Sequence, residues 1–213
     1  LSISTAQSEE LAGSSPKDAS GESSWYRYTE SGSTMLAYSR FNGDGRLSTR
    51  HVYRLPEGSD QSITLLVEER YAYEDGRLTS MTVLTDAARS ERSVQYDTQG
   101  RAYREEYKQG GKILSTVERN WDDKGLLLVE RSQSKQGIAT LTYEYAPDAR
   151  LVAQRWLQNG IPVRTLLYEA EGITVEELFD NGNLFAKIWK KDGVKVREQI
   201  IRNGEVLRER LFP

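Results

Sequence analysis

The sequence predicts an all-β protein: a long antiparallel β-meander of repeated hairpins, with about 16 strands. Three observations predict it. Glycine-centred turn signals recur along the chain, among them Asn42-Gly43-Asp44-Gly45, Asp75-Gly76, Asn159-Gly160, Asn181-Gly182 and Asn203-Gly204. From Gly100 to Gly204 they fall every 10 to 14 residues, which is one strand of seven or eight residues plus a short turn. No stretch of helical length carries apolar residues at i, i+3, i+4 and i+7 without a glycine turn interrupting it, so helices should be scarce.

The pattern is plainest in residues 69–82, Glu-Arg-Tyr-Ala-Tyr-Glu-Asp-Gly-Arg-Leu-Thr-Ser-Met-Thr. Tyr71 and Tyr73, two apart, point to one face of an extended chain. Asp75-Gly76 then reverses the chain, because glycine tolerates the positive φ that a primed hairpin turn needs. Arg77 onward runs back.

Taken in order, residues 1–24 are rich in Ser, Ala, Gly and Glu with no hydrophobic period, the composition of a flexible tether, and residues 25–213 form the hairpin-repeat domain. Strands are expected at 25–30, 34–41 and 46–54. A looser link, Leu55 to Asp60, follows, where the repeat can change register. The phrase then resumes at 63–73, 77–84, 91–97, 101–108 and 112–121. Further strands are expected at 126–133, 138–145, 150–157, 162–169, 173–179, 184–190, 194–201 and 205–211. Loops this short join only antiparallel neighbours, hence a meander. Val194, Val196 and Ile200 alternate with Lys195, Arg197 and Gln199, which predicts one buried face there. Leu126 to Val129 and Leu166 to Tyr168 are apolar on both sides. An open sheet of more than about 10 strands curls, splits or flattens. A closed barrel of this size would enclose a lumen too wide for side chains to fill. The expected form is a curled single sheet, superhelical or a partly closed barrel.

Composition narrows the function classes. The chain has 213 residues, 37% hydrophobic and 29% charged, and a mean hydropathy of −0.66; this is thin for a thick core. A net charge of −3 argues against a nucleic-acid partner, which needs a basic face. No window approaches the roughly 18 apolar residues of a spanning helix. An outer-membrane barrel is disfavoured because Glu176, Glu177, Arg197 and Glu198 place charge on both strand faces. With no cysteine, disulfides and thiolate metal sites are excluded. The chain opens on Leu1 rather than Met, as a trimmed or processed chain does. A tether of this kind often separates a folded domain from a lipid anchor, here expected upstream of Leu1.

Two stretches, residues 69–80 and Val94-Gln95-Tyr96-Asp97-Thr98-Gln99-Gly100-Arg101, resemble the YD repeats of bacterial RHS and teneurin-type proteins: aromatic, acidic residue, two loose positions, Gly-Arg-Leu. Phe41 to Leu47 and Tyr145 to Leu151 are weaker copies, the latter with Ala149 where glycine is expected. Leu178 to Leu184 and Trp189 to Val194 are more similar to the MORN-like hairpin repeats of the YwqK antitoxin type. These resemblances imply hairpin architecture, and they occur in toxin shells, surface adhesins and immunity proteins alike. The self-cleaving core and toxin domain of RHS proteins have no counterpart here.

The residues that could carry chemistry read mostly as structure. His51 is the only histidine, and no nucleophile motif lies near it. The pairs Glu68-Glu69, Glu105-Glu106, Asp122-Asp123 and Glu176-Glu177 point to opposite faces of a strand, so none is a glycosidase dyad. Pairing with Arg and Lys on the next strand is expected instead. The acidic turns lack the ligand count of a calcium loop. No catalytic, metal or cofactor-binding residue is assigned. The candidate partner-binding residues are Tyr71, Tyr73, Tyr143, Tyr145, Trp156 and Trp189: the two tyrosine pairs precede turns, while Trp156 and Trp189, with Trp121 and Tyr168, recur at comparable repeat positions and would line up across strands as a ladder.

The expected function is a non-enzymatic interaction scaffold of a bacterial envelope, periplasmic or at the cell surface. It would bind a protein or glycan partner by a broad sheet face or by strand addition, and could form homo-oligomers through edge strands. Arg208-Glu209-Arg210 would discourage uncontrolled edge pairing. The alternative is a cytoplasmic antitoxin that sequesters a toxin, with a carbohydrate-active enzyme third.

Overall fold

The computed structural model describes residues 23–56, 62–85 and 90–213, and contains no helix among them. Sixteen strands follow one another: β1 Ser23–Glu30, β2 Ser33–Phe41, β3 Leu47–Arg54, β4 Thr64–Glu74, β5 Arg77–Thr85, β6 Ser90–Tyr96, β7 Ala102–Gln109, β8 Lys112–Trp121, β9 Leu127–Ser134, β10 Gly137–Tyr145, β11 Leu151–Gln158, β12 Ile161–Tyr168, β13 Ile173–Asp180, β14 Asn183–Lys191, β15 Val194–Arg202 and β16 Glu205–Leu211. Their order in the sheet is their order in the chain, so the protein is a single antiparallel meander in which β1 and β16 do not pair. Residues 1–22 of the expected tether and residues 57–60 of the looser link lie outside the described residues. Ser23 and Ser24, expected in the tether, belong to β1 and pair with Arg40 and Ser39.

Two kinds of turn recur among the described residues. In the first, two residues both adopt positive φ, as in Asp75-Gly76 (47° and 79°), Asn159-Gly160 (51° and 81°) and Asn181-Gly182 (47° and 81°). This is the primed geometry whose twist matches the flanking strands. In the second, four residues turn and only the last has positive φ. Gly100 is at 78° and donates its N–H to the carbonyl of Asp97, while the Asp97 N–H donates to Arg101 O. The Asp97 carboxylate then accepts the N–H groups of Gln99 and Arg101, both at 2.9 Å. Asn42 and Asp122 do the same for their own turns. At these three turns the acidic or amide residue after the aromatic is thus a backbone acceptor.

A second regularity was not legible in the sequence. At most hairpins the returning strand carries one extra residue just past the turn: Ser48 in β3, Thr79 in β5, Tyr103 in β7, Leu128 in β9, Val152 in β11, Val163 in β12, Phe185 in β14, Val196 in β15 and Leu207 in β16. Such a bulge shifts the alternation of faces and increases twist. It also breaks the one-sided reading of β15: Val194 is 63% exposed, while Ile201 is buried. Lys195 and Glu198, three apart and so on opposite faces of a regular strand, meet at 2.6 Å across the bulge.

The chain forms two compact units, Leu1–Leu114 and Ser115–Pro213. In the first, the buried apolar residues are Met35, Ala37, Val52 and Val94; in the second, Ala153, Val175, Ala186 and Ile201. Most are Ala or Val, as a thin, single-sheet core requires.

Candidate binding grooves

In the first unit, Tyr71 and Tyr73 share a face of β4 as expected, but both are engaged. The Tyr71 hydroxyl donates to Glu69 Oε2 at 2.7 Å, and Glu69 sits 3.5 Å from Arg50, whose Nη2 in turn donates to the Tyr26 hydroxyl at 2.6 Å. Burial and the hydrogen bond to Glu69 push the Tyr71 hydroxyl up to about 12. The Tyr73 ring packs under the Arg46 guanidinium at 5.8 Å. The described ring pairs of this unit lie elsewhere, in Trp25–Tyr38, Tyr38–His51, His51–Tyr53 and Tyr26–Tyr28. His51 is half-buried in this cluster with Nε2 3.7 Å from Glu68.

In the second unit the four remaining aromatics line three separate grooves. Tyr143 and Tyr145 share a face of β10 and, with Leu126, Leu128, Pro147 and Val152, line an open depression of about 610 Å³. The Tyr145 hydroxyl donates to the Leu127 carbonyl at 3.0 Å, and burial, then the nearby Glu130 charge, raise the pKa of Tyr143. Trp156 lines a smaller groove of about 250 Å³ with Leu141, Leu157 and Val163. Trp189 lines the largest of the three, about 740 Å³, whose lining mixes apolar Leu184, Phe185, Ile201 and Val206 with polar residues that include Asn183, Gln199 and Asn203.

The tryptophans do not form one ladder. Trp156 stands opposite Arg164, in a row that continues through Leu178, Ala186 and Ile200. Trp189 stands opposite Val175 and Arg197, in the row of Ala153 and Leu167. Ala186 and Trp189 are three apart on β14, so the two rows occupy opposite faces of the sheet. The expectation of a shared aromatic ladder fails because similar repeat positions need not share a face once bulges are inserted.

What the two tryptophans share is a cap that sequence reasoning missed. The guanidinium of Arg164 lies 4.8 Å from the Trp156 ring centroid and that of Arg197 lies 4.4 Å from Trp189. Each Nε is buried and 2.7 Å from a carboxylate, of Glu176 and Glu209 respectively, at an angle too bent for a hydrogen bond. The only signal in the sequence is that Arg164 and Arg197 follow their tryptophans at the same offset.

The adjacent carboxylates carried by the strands divide between the faces and meet cations. Glu68 pairs with Arg70 and Glu69 with Arg50; Glu105 pairs with Arg92 and Glu106 with Arg104; Glu176 pairs with Lys190 and Glu177 with Lys187. Hydrogen bonds from Arg70, Arg104 and Lys190 hold Glu68, Glu106 and Glu176 below the usual carboxylate range.

No protein-family model matches the chain, nor does any curated protein. Among solved structures, a porin-like protein from Bacteroides uniformis is 14% identical, over 87% of this chain and 91% of its own, with a TM-score of 0.26. A protein with unknown function from Bacteroides fragilis is 8% identical, over 85% of this chain and 94% of its own, with a TM-score of 0.21.

Proposed function

We propose that this chain is a non-enzymatic β-repeat scaffold of a bacterial envelope, periplasmic or at the surface, that binds a protein or glycan partner in the Trp189 groove. The observation that carries this reading is the groove's lining. A half-buried indole and the exposed Phe185 ring lie beside the side chains of Asn183, Gln199 and Asn203, which make no hydrogen bond among the described residues. Flat apolar surface flanked by unspent amides suits a ligand with apolar faces and hydroxyl or amide edges. Envelope placement is supported by the Ser, Ala and Gly-rich first 24 residues, the composition of a flexible tether.

The test is a glycan array probed with the full chain and with Phe185→Ala and Gln199→Ala. Binding that falls about tenfold or more in both variants supports the groove as a glycan site. Silence across the array moves the partner to a protein. Hydrolysis of any arrayed glycan that is lost in a single Asp or Glu variant overturns the non-enzymatic reading.

A further inference from the structure

Asparagine precedes glycine at Asn42-Gly43, Asn159-Gly160, Asn181-Gly182 and Asn203-Gly204. The two residues of such a pair can react with each other. The glycine amide nitrogen attacks the asparagine side-chain carbonyl carbon, and a residue without a β-carbon leaves that approach unhindered. The side chain must first swing over the amide, so every bond that holds it, or holds its turn, slows the reaction.

The structure separates these pairs. Asn42 Oδ1 accepts the N–H groups of Asp44 at 3.1 Å and Arg46 at 2.9 Å. Asn159 is tied to the hairpin before it: its Oδ1 accepts the Ile138 N–H at 2.8 Å, and its own N–H donates to the Ile138 carbonyl at 2.6 Å. Asn181 Nδ2 donates to Asp180 Oδ1 at 3.1 Å. Asn203 is exposed, and its side chain makes no hydrogen bond among the described residues. Asn183 follows the glycine of the hairpin before it, as Ile138 does for Asn159, yet gives Asn203 no such bond. The Gly204 N–H, the attacking group, is also unbonded among the described residues.

We propose that Asn203-Gly204 is a modification site at which the chain converts its own asparagine to aspartate and isoaspartate, with water as the only co-reactant. The Gly204 nitrogen loses its proton to solvent and bonds to Asn203 Cγ. The Cγ–Nδ2 bond breaks, solvent returns a proton to the leaving nitrogen, and ammonia departs from a five-membered succinimide. Water then adds to one of the two ring carbonyls. Breaking the new N–Cγ bond gives aspartate; breaking the original peptide bond gives isoaspartate, with the main chain routed through Cβ and Cγ. Asn203 lines the Trp189 groove, so either product puts a carboxylate in its wall. Isoaspartate also lengthens the main chain of a two-residue turn closed by the Arg202 and Glu205 pair. The effect on ligand binding rests on the function proposed above; the conversion itself does not.

The test ages the purified full chain in mildly alkaline buffer, with and without denaturant, and follows the Asn-Gly sites by peptide mapping and mass spectrometry. Digestion in heavy-oxygen water marks any conversion that occurs during work-up. A hydrogen bond that must open first slows the reaction about fivefold. In the folded chain Asn203 should therefore convert about tenfold or more faster than Asn42 and Asn159, each held by two bonds, and about fivefold faster than Asn181. In denaturant, where those bonds are gone, the spread should collapse. An Asn203 that converts no faster than any one of the others in the folded chain, or a spread that persists in denaturant, overturns the proposal. A silent glycan array counts against the groove as a glycan site and leaves these rates unchanged.

Discussion

Arg197 lies over Trp189, its guanidinium carbon 4.4 Å from the ring centroid, and the two residues stand directly opposite on β15 and β14. The contact joins an ordinary cross-strand pair to a cation–π interaction, to which a planar guanidinium adds stacking contact that a lysine ammonium does not provide. Arg197→Lys should therefore destabilise the protein by about 0.5–1 kcal/mol. Urea unfolding with an unchanged m-value is the measurement, and a variant as stable as the parent would show that the stacking contributes nothing.

Ala149 occupies a position that its neighbours at other turns give to glycine. Its φ of 66° matches Gly100 at 78° and Gly125 at 86°, and its N–H makes the same turn hydrogen bond, to Ala146 O at 2.9 Å. A β-carbon in this left-handed region costs roughly 1–2 kcal/mol, partly offset by the greater freedom of glycine in the unfolded chain. Ala149→Gly should raise stability by about 0.5–1 kcal/mol, read as a higher thermal midpoint.

Gly137 is the reverse case. Its φ is 117°, and an added β-carbon would lie 2.4 Å from Asn159 Oδ1, the oxygen that accepts the Ile138 N–H at 2.8 Å. Gly137→Ala should cost about 1–3 kcal/mol through strain and loss of that bond. Hydrogen exchange at Ile138 should accelerate along with the global loss.

Alkaline stability should report Tyr71. Burial first, and then the hydrogen bond to Glu69, raise its hydroxyl from 10.0 to about 12. A group whose pKa is raised in the folded state holds its proton more tightly there, so its contribution is complete below pH 10 and is lost as pH rises toward about 12. Tyr71→Phe should flatten that part of the stability profile. A parallel decline in both proteins would place the alkaline loss elsewhere.

Turns such as Asp97 to Gly100, with the strand each ends and the strand each begins, were readable, because turn chemistry is local. Asp97 bonds backbone groups two and four residues away and needs no distant partner. The shared face of Tyr143 and Tyr145 was readable for the same reason, since alternation within one uninterrupted strand is a local property. The opposite facing of Trp156 and Trp189 was not, because it depends on counting register through three intervening pairings and the bulges between them. Nor were the arginine caps, whose partners are brought opposite only by that register.

The order of residues alone thus determined the fold class, the number of strands and their meander, because glycine and Asx turns act over four residues and leave neighbouring segments no arrangement but side by side. Tertiary structure decided which face each aromatic occupies and which arginine covers which indole. Those features depend on inter-strand register, which a single extra residue past a turn shifts and which composition and periodicity do not encode.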